Sequence, residues 1–591
     1  MIGLLLIVWG LGGLFLLVVN VPVQQATPLT LVQYAYFYSD NVLVQQGLMV
    51  ALGAPLVLLI LIIAVVFRPK AQKLHGTTNW ATTKDIARAG LLNNKGIILG
   101  KKGKRYLQLD GDTFAMVAAP TRSGKGVGIV IPNLLSWHDS VVVLDIKSEN
   151  FAITSGYRAA HGQAVYLFNP APITYQTHRY NPLTYISSDP NKRIDDIHKI
   201  ANYLIPTPAG TDPMWSSEGR DLLFGVIGAV MAIKSLPKTL GEVLRQLKTD
   251  KDTAEHLSQL IKDNKDCLSE ACAGSLNNFI TKANKERSGV KSTVTSALNI
   301  FGNPLIDAAT SASDFDFREL RQHKMSIYIA IQPNDLERLA PLVNLFIQQL
   351  IDQNTQESPA RYDNGVLVQG NPKYTHSVLL LLDEFTSIGR IPILEKGIAF
   401  IAGYGLRLLT IIQASSQLRS TYGNDVAETM EKNHAARVVF RPETMKEAEL
   451  ISNELGNNTV EQASFSSKQH STTRTISTSQ TKRRLLLAQE IKALKDQHSI
   501  IFVGGVPVIM ADKIAYYKDQ AFKLRYEDVV DVPTLVLPNE PANDFDFEFL
   551  VNRLPLHDRD KPLNKQEINQ FAALFFEEVY PHCTFDMETL P

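Results

Sequence analysis

At 591 residues the chain is long enough for more than one domain. Its three cysteines, Cys267, Cys272 and Cys583, exclude a disulfide framework and a cysteine-paired metal centre, which leaves a reduced, cytosolic bulk as the simple inference. The 59 basic and 59 acidic side chains cancel, so net charge says little, but their distribution says more. Residues 1–67 carry a single charged side chain, Asp40, residues 68–525 have a net charge of +11, and residues 526–591 hold 14 acidic against 4 basic residues. A basic body suits a polyanion partner and an acidic tail suits docking, although ordinary solvated surface accounts for the same charges.

In chain order, residues 2–20 and 47–67 are two uncharged apolar runs. Each has about the 20 residues that crossing a bilayer takes. The N-terminus lacks the basic region and small-residue cleavage site of a signal peptide. Arg68, Lys70 and Lys73 follow the second run, while residues 21–46 have no lysine or arginine. The positive-inside rule then puts the N-terminus inside, the short loop outside, and everything after Phe67 in the cytosol.

Residues 113–119, "TFAMVAA", read as a buried strand, and "PTRSGKGVG" follows it. The phosphate-loop pattern G-x-x-x-x-G-K-[ST] is met except at its ends, where Ala119 replaces the first glycine and Gly126 replaces the magnesium-binding hydroxyl. Thr121, Arg122, Ser123, Gly124, Lys125, Gly126 and Val127 are the expected phosphate cradle, at the N-terminus of a helix that Pro132 is expected to stop early. Lys125 is expected to reach the β- and γ-phosphates of ATP. The run at residues 141–145 ends on Asp145, and that at 377–382 leads into Asp383 and Glu384. Asp383 and Asp145 are candidates to hold Mg2+, and Glu384 to polarise the attacking water. The strand at 406–412 leads to Gln413, a candidate γ-phosphate sensor together with Gln417.

Further strand-like runs at 164–168, 326–331, 436–440 and 500–503 complete a strand–helix alternation. It predicts an α/β fold, a parallel helix-covered sheet of the RecA-like P-loop type. Strand signals vanish between about residues 190 and 316, which predicts an inserted all-α domain. Residues 464–484 are polar and locally basic, a mobile loop or a solvent-facing hairpin. Beyond residue 526 lie prolines, the stretch "NDFDFEFL" and an amphipathic pattern at 564–580. This tail reads equally as a docking segment or as a strap on its own domain.

Together "HGTTNWAT", "APTRSGKGVG", "VVLDIKSE", "FNPAPITYQTHRYNPL", "LLLLDEFTSIGRIP" and "GLRLLTIIQASSQL" resemble the TraG kind of type IV secretion coupling protein. The resemblance runs from residue 73 to about 506. Many members carry glycine after the loop lysine, so it implies that the site still binds ATP and Mg2+. It implies a membrane-anchored ATPase that couples relaxase-bound single-stranded DNA, effector proteins, or both, to a type IV secretion channel. It also implies a homo-hexameric ring, a multi-pass anchor in the bacterial inner membrane with the bulk cytoplasmic, and an adaptor site on the C-terminal tail. Arg407, Arg437 and Arg441 are candidates for an arginine finger acting between subunits, with Arg407 taken first. The expected domains are 1–67 (two membrane helices), 68–189 with 317–525 (nucleotide-binding), 190–316 (inserted, all-α) and 526–591 (acidic tail). Two other readings stay open: an FtsK-like double-stranded DNA translocase, and a non-hydrolysing membrane scaffold for substrate docking.

Overall fold

In the computed structural model the described residues are 2–66, 78–207, 210, 212–363, 366–467 and 474–537. Arg68, Lys70, Lys73, the start of "HGTTNWAT", the middle of the 464–484 stretch and the tail beyond 537 lie outside them. Fifteen strands are described: β1 (Ile97–Lys102), β2 (Arg105–Leu109), β3 (Phe114–Ala118), β4 (Ser140–Ile146), β5 (Ala164–Phe168), β6 (Met325–Ile331), β7 (Arg361–Asp363), β8 (Val366–Gln369), β9 (Val378–Leu382), β10 (Leu406–Ile412), β11 (His434–Val439), β12 (Asn457–Ser467), β13 (Arg474–Arg484), β14 (His498–Val503) and β15 (Ile509–Asp512). The described residues fall into two compact units, those of 1–79 with 448–491 and those of 80–447 with 492–591.

The second unit is built on an eleven-stranded sheet ordered β2-β1-β15-β14-β11-β3-β10-β9-β4-β6-β5. From β11 to β5 neighbouring strands are parallel. Their apolar runs are continuous because both faces are covered: every residue of β6 and of β9 is buried. Side chains alternate between two cores. Phe114, Met116, Val142, Leu144, Leu380 and Leu382 enter one, and Ala115, Val117, Val141, Val143, Leu379 and Leu381 enter the other. The sheet is not parallel throughout, as the alternation predicts. β14, β15, β1 and β2 extend it through antiparallel pairs. β14 contains the run expected at 500–503, but β15 is short and β1 and β2 carry charged ends, so these three leave no apolar run to read.

Between β5 and β6 the chain is helical, from Pro190–Leu204 to Pro304–Ala309. The helix starts are written locally. Asp189, Asp212, Thr239, Asp252, Ser269 and Asn303 each accept a first-turn N–H. Pro190, Pro213 and Pro304 occupy first-turn positions where no donor is missed. Helices Pro213–Ala232 and Glu270–Thr281 approach closely at two glycines. A Cβ on Gly225 would lie 2.8 Å from Leu276, and one on Gly228 2.9 Å from Cys272 Sγ.

The first described part of the tail is a strap. Thr177 N–H donates to Pro533 O at 3.0 Å and Leu535 N–H to Tyr175 O at 2.8 Å. A Cβ on Gly156 would collide with Asp528 O, at 2.0 Å.

In the first unit the polar stretch at 464–484 belongs to a long antiparallel hairpin of β12 and β13. Thr78 N–H donates to Asn457 O at 3.4 Å, which ties the base of the hairpin to the residues before the sheet. Helices cover Ile2–Val18, within the first apolar run, and Val42–Val66, which begins five residues before the second. Among the described residues no helix is long and apolar enough to cross a membrane.

Candidate active site

Four parallel strands end side by side. Ala118 pairs with Ile412, Thr410 with Leu382, and Leu382 with Leu144. The residues after each end therefore share the carboxyl edge of the sheet, where open α/β sheets bind ligands at a topological switch point. β3 and β4 provide one here, since β10 and β9 separate these consecutive strands.

After β3 the chain turns through Arg122 at φ 56° and Gly124 at φ 86°. Ala119 has no positive φ, is fully buried and donates to Ile412 O, so no glycine is required at that position. Ser123 Oγ donates to Pro120 O at 2.6 Å, and Gly128 N–H to Gly124 O at 2.8 Å. The amides of residues 124–127 open the helix, where first-turn N–H groups have no partner within it and favour an anion. Pro132 does not end this helix. Gly126–Val130 form a wider π turn in which Ile131 N–H donates to Gly126 O, and Ile131–Leu134 continue as α-helix. The wider turn accommodates the proline. Asn133, buried, clips the helix to β1 by accepting from Ile98 N–H and donating to Ile98 O.

Lys125 reaches from the loop past the end of β10 to the end of β9. Its Nζ lies 3.2 Å from Asp383 Oδ1 and is hydrogen-bonded to Glu384 Oε1. Gln413 Nε2 donates to Glu384 Oε2 at 2.9 Å. Gln417 instead accepts from Gln413 N–H at 3.3 Å and from Thr386 Oγ1 at 3.2 Å. Glu384 is left-handed at φ 54°, a strained conformation for a non-glycine residue of the kind that collects at functional sites. Burial pushes the Asp383 carboxyl up and Lys125 pulls it down, with the net shift upward. Asp383 Oδ1 is buried without a directed hydrogen bond despite the nearby ammonium.

Asp145 is fully buried, and its oxygens accept from Asn150 N–H at 3.2 Å and Phe151 N–H at 2.7 Å, at the start of helix Glu149–Ala160. Burial raises its pKa to about 7, and Asp383 adds to the rise. Arg407 is not brought to this edge. It is the second residue of β10, near the other end, six residues or roughly 20 Å from Gln413. There it pairs with Asp112 and lines a cavity of about 380 Å³ beside Asp110 and His376. Arg437 lies with its guanidinium 4.9 Å from the Phe502 ring centroid, and Arg441 pairs with Asp496 at 2.9 Å. Sequence reading passed over Lys513, whose Nζ donates to Ser123 O in the loop at 3.1 Å.

Among the described residues no cluster of three or more His, Cys, Asp or Glu side chains is arranged to hold a metal ion. The donor set instead fits a magnesium ion shared between one carboxylate and nucleotide phosphates, the usual arrangement for that ion. The Asp383 oxygen that faces the Lys125 ammonium is the position that fits.

A glycine-bearing loop at a helix N-terminus, a lysine across from Asp383 and Glu384, and a mixed α/β sheet with a helical insert define a nucleotide-binding ATPase. The family described as Type IV secretory system Conjugative DNA transfer matches residues 79–537. The chain belongs to this family of type IV secretion coupling ATPases, which includes VirD4 and TraG. It is 33% identical to protein VirD4 of Rhizobium radiobacter over 468 residues, 77% of this chain and 66% of that one. It is 31% identical to the conjugal transfer protein TraG of Escherichia coli over 505 residues, 76% of this chain and 78% of that one. Its fold resembles the conjugative coupling protein TrwB lacking its N-terminal 70 residues, with a TM-score of 0.56 at 18% identity, covering 80% of this chain and 98% of that one. TrwB in complex with ADP and Mg2+ matches with a TM-score of 0.53 at 17% identity, covering 79% and 96%.

Proposed function

We propose that the chain is an ATP-driven pump, RecA-like in its engine, that delivers relaxase-bound single-stranded DNA, protein effectors, or both, to a type IV secretion channel. The observation that carries this reading is the convergence of Lys125, Asp383, Glu384 and Gln413 at one edge of the sheet. In the proposed mechanism the amides of residues 124–127 and the Lys125 ammonium bind the phosphates. Asp383 holds Mg2+, which when bound neutralises phosphate charge. Glu384 accepts the proton of the attacking water, and Gln413 orients that carboxylate and links it to β10. Asp145 caps the neighbouring helix and fixes the floor of the site rather than ligating the metal.

Residues 1–67 are proposed as a two-helix anchor in the bacterial inner membrane, with the bulk cytoplasmic. The uncharged runs and the basic residues that follow them support this. Residues 68–189 with 317–525 form the proposed nucleotide-binding domain, 190–316 its all-α insert and 526–591 an acidic tail for an adaptor. Within 317–525, the grouping of 448–491 with the N-terminal unit marks an excursion from that domain. A homo-hexamer is proposed, in which Arg407 acts on a neighbouring subunit's nucleotide.

The test is ATP hydrolysis by the full-length protein in detergent, with and without single-stranded DNA, beside Lys125→Ala and Glu384→Gln. DNA-stimulated turnover lost in both variants supports the DNA pump. Turnover unaffected by DNA moves the reading to protein cargo, and turnover that survives both substitutions refutes the assigned site.

A further inference from the structure

The antiparallel extension of the sheet returns a cation to the phosphate loop. Lys513 follows β15 directly, and its N–H donates to Gln497 O at 2.7 Å. Its Nζ lies 3.8 Å from the centroid of the Phe440 ring while donating to Ser123 O at 3.1 Å. Ile514, the next residue, is buried and wedged against the helix that follows the loop. A Cβ on Gly128 would come within 3.2 Å of Ile514 O. Two independent contacts therefore press residues 513 and 514 on the loop and its helix. Asp496 and Arg441 are the charged groups facing the ammonium, and they pair with each other at 2.9 Å.

The carbonyl of Ser123 and the N–H of Gly124 belong to one planar trans peptide unit, so they point in opposite directions. Gly124, at φ 86°, has no side chain to stop that plane from swivelling. We propose that Lys513 is a positioning residue for nucleotide binding: by holding the Ser123 carbonyl on the outer side of the loop, it aims the Gly124 N–H and the start of the helix at the phosphates. The residue acts through the loop and touches no phosphate itself. This role rests on the nucleotide-binding reading of the site, and its test separates the two.

Burial holds the Lys513 ammonium down to about 8, with Arg441 adding to the effect and Asp496 opposing it. A neutral amine donates a weaker hydrogen bond than an ammonium. Nucleotide affinity should therefore weaken as pH rises from 7.5 to 9. An arginine in its place stays charged over that range.

The experiment is titration of the full-length protein in detergent with a fluorescent N-methylanthraniloyl-ATP, with kcat and KM for ATP measured in parallel. Lys513→Met is expected to raise Kd and KM about tenfold, the scale of one lost charge-assisted hydrogen bond, and to change kcat less. Lys513→Arg is expected to bind within about threefold of the wild type and to show no weakening up to pH 9. Wild-type affinity for Lys513→Met, or the same pH profile in Lys513→Arg as in the wild type, overturns the proposal. If Lys513→Met does not fold, the pH profile of Lys513→Arg decides. A wild-type protein that does not bind the probe at all overturns the nucleotide site and this role together.

Discussion

Gln413 Nε2 donates to Glu384 Oε2 at 2.9 Å, and Lys125 bonds the other oxygen of the same carboxylate. Glu384 is thus held at both oxygens by groups from two other segments, and its backbone is in a left-handed conformation. With Lys125 turned to the phosphates, Gln413 is the donor left to orient the carboxylate as a general base needs.

The first prediction separates binding from turnover. Glu384→Gln should lower kcat at least about 100-fold, the usual contribution of a positioned base, and leave the Kd for ATP nearly unchanged. Gln413→Ala should lower kcat less, about tenfold, because it removes only the orienting hydrogen bond. Steady-state hydrolysis beside nucleotide titration checks both. A Gln413→Ala defect confined to Kd would show that the amide serves binding instead.

Gly126 is not demanded by space. A Cβ there meets nothing within 4 Å, and its φ is not positive. Gly126→Ser should therefore fold with an unchanged melting temperature and place a hydroxyl at the usual magnesium-binding position of such loops. The expected outcome is a several-fold lower Mg2+ concentration for half-maximal hydrolysis. An unaltered Mg2+ dependence would mean that Asp383 and the phosphates already satisfy the ion.

His434 makes stability depend on pH. It is buried, its Nδ1–H donates to Met430 O at 2.6 Å, and Thr410 Oγ1 donates to Nε2 at 2.9 Å. Burial pulls its pKa from 6.5 down to about 4. Between these values the unfolded chain binds a proton that the folded chain does not. The contribution is complete above about pH 6.5 and is lost as pH falls, by roughly 3 kcal/mol at pH 4. Thermal melts of the wild type and of His434→Gln at pH 7.5 and 5 should converge toward the lower pH. Parallel curves would refute the assignment.

The helical insert has its own weak point. Gly225 faces Leu276, with only 2.8 Å left for a Cβ, and Cys272 Sγ donates to Gly225 O at 3.0 Å. Gly225→Val should cost about 1–3 kcal/mol, the usual cost of overpacking. Limited proteolysis should find cleavage within residues 190–316 before the sheet is attacked.

Much of this arrangement could be read from the residues. All eight apolar runs are strands, because a sheet covered on both faces needs continuous hydrophobic stretches and so leaves a local signal. Lys125, Asp383, Glu384 and Gln413 were readable for the same reason, each lying just past the end of such a run or in the loop after it. The antiparallel extension was readable only at β14, from the run at 500–503. β15 has four residues and β2 is "RYLQL", partly exposed, so neither length nor pattern separates them from loop. Lys513 could not be found at all from sequence. Its partner Ser123 is 390 positions away and contributes only a backbone carbonyl. Arg407 differs: a strand at 406–412 that leads to Gln413 already puts it at the opposite end, and only its pairing with Asp112, 295 positions away, was hidden.

The order of the strands also bears on how the chain is made. β3, which carries the phosphate loop, has β10 and β11 as its neighbours, with Ala115 paired to Leu409 and Ala436. Both partners are encoded about 300 residues later, so at ordinary elongation rates β3 waits roughly 15–60 s on the ribosome with both edges open. Such an edge is a template for wrong pairing. Synthesis of this ATPase therefore includes a long interval in which the loop strand exists without its sheet, and its yield in a cell should depend on chaperones that shield "FAMVA" until residue 439 has emerged.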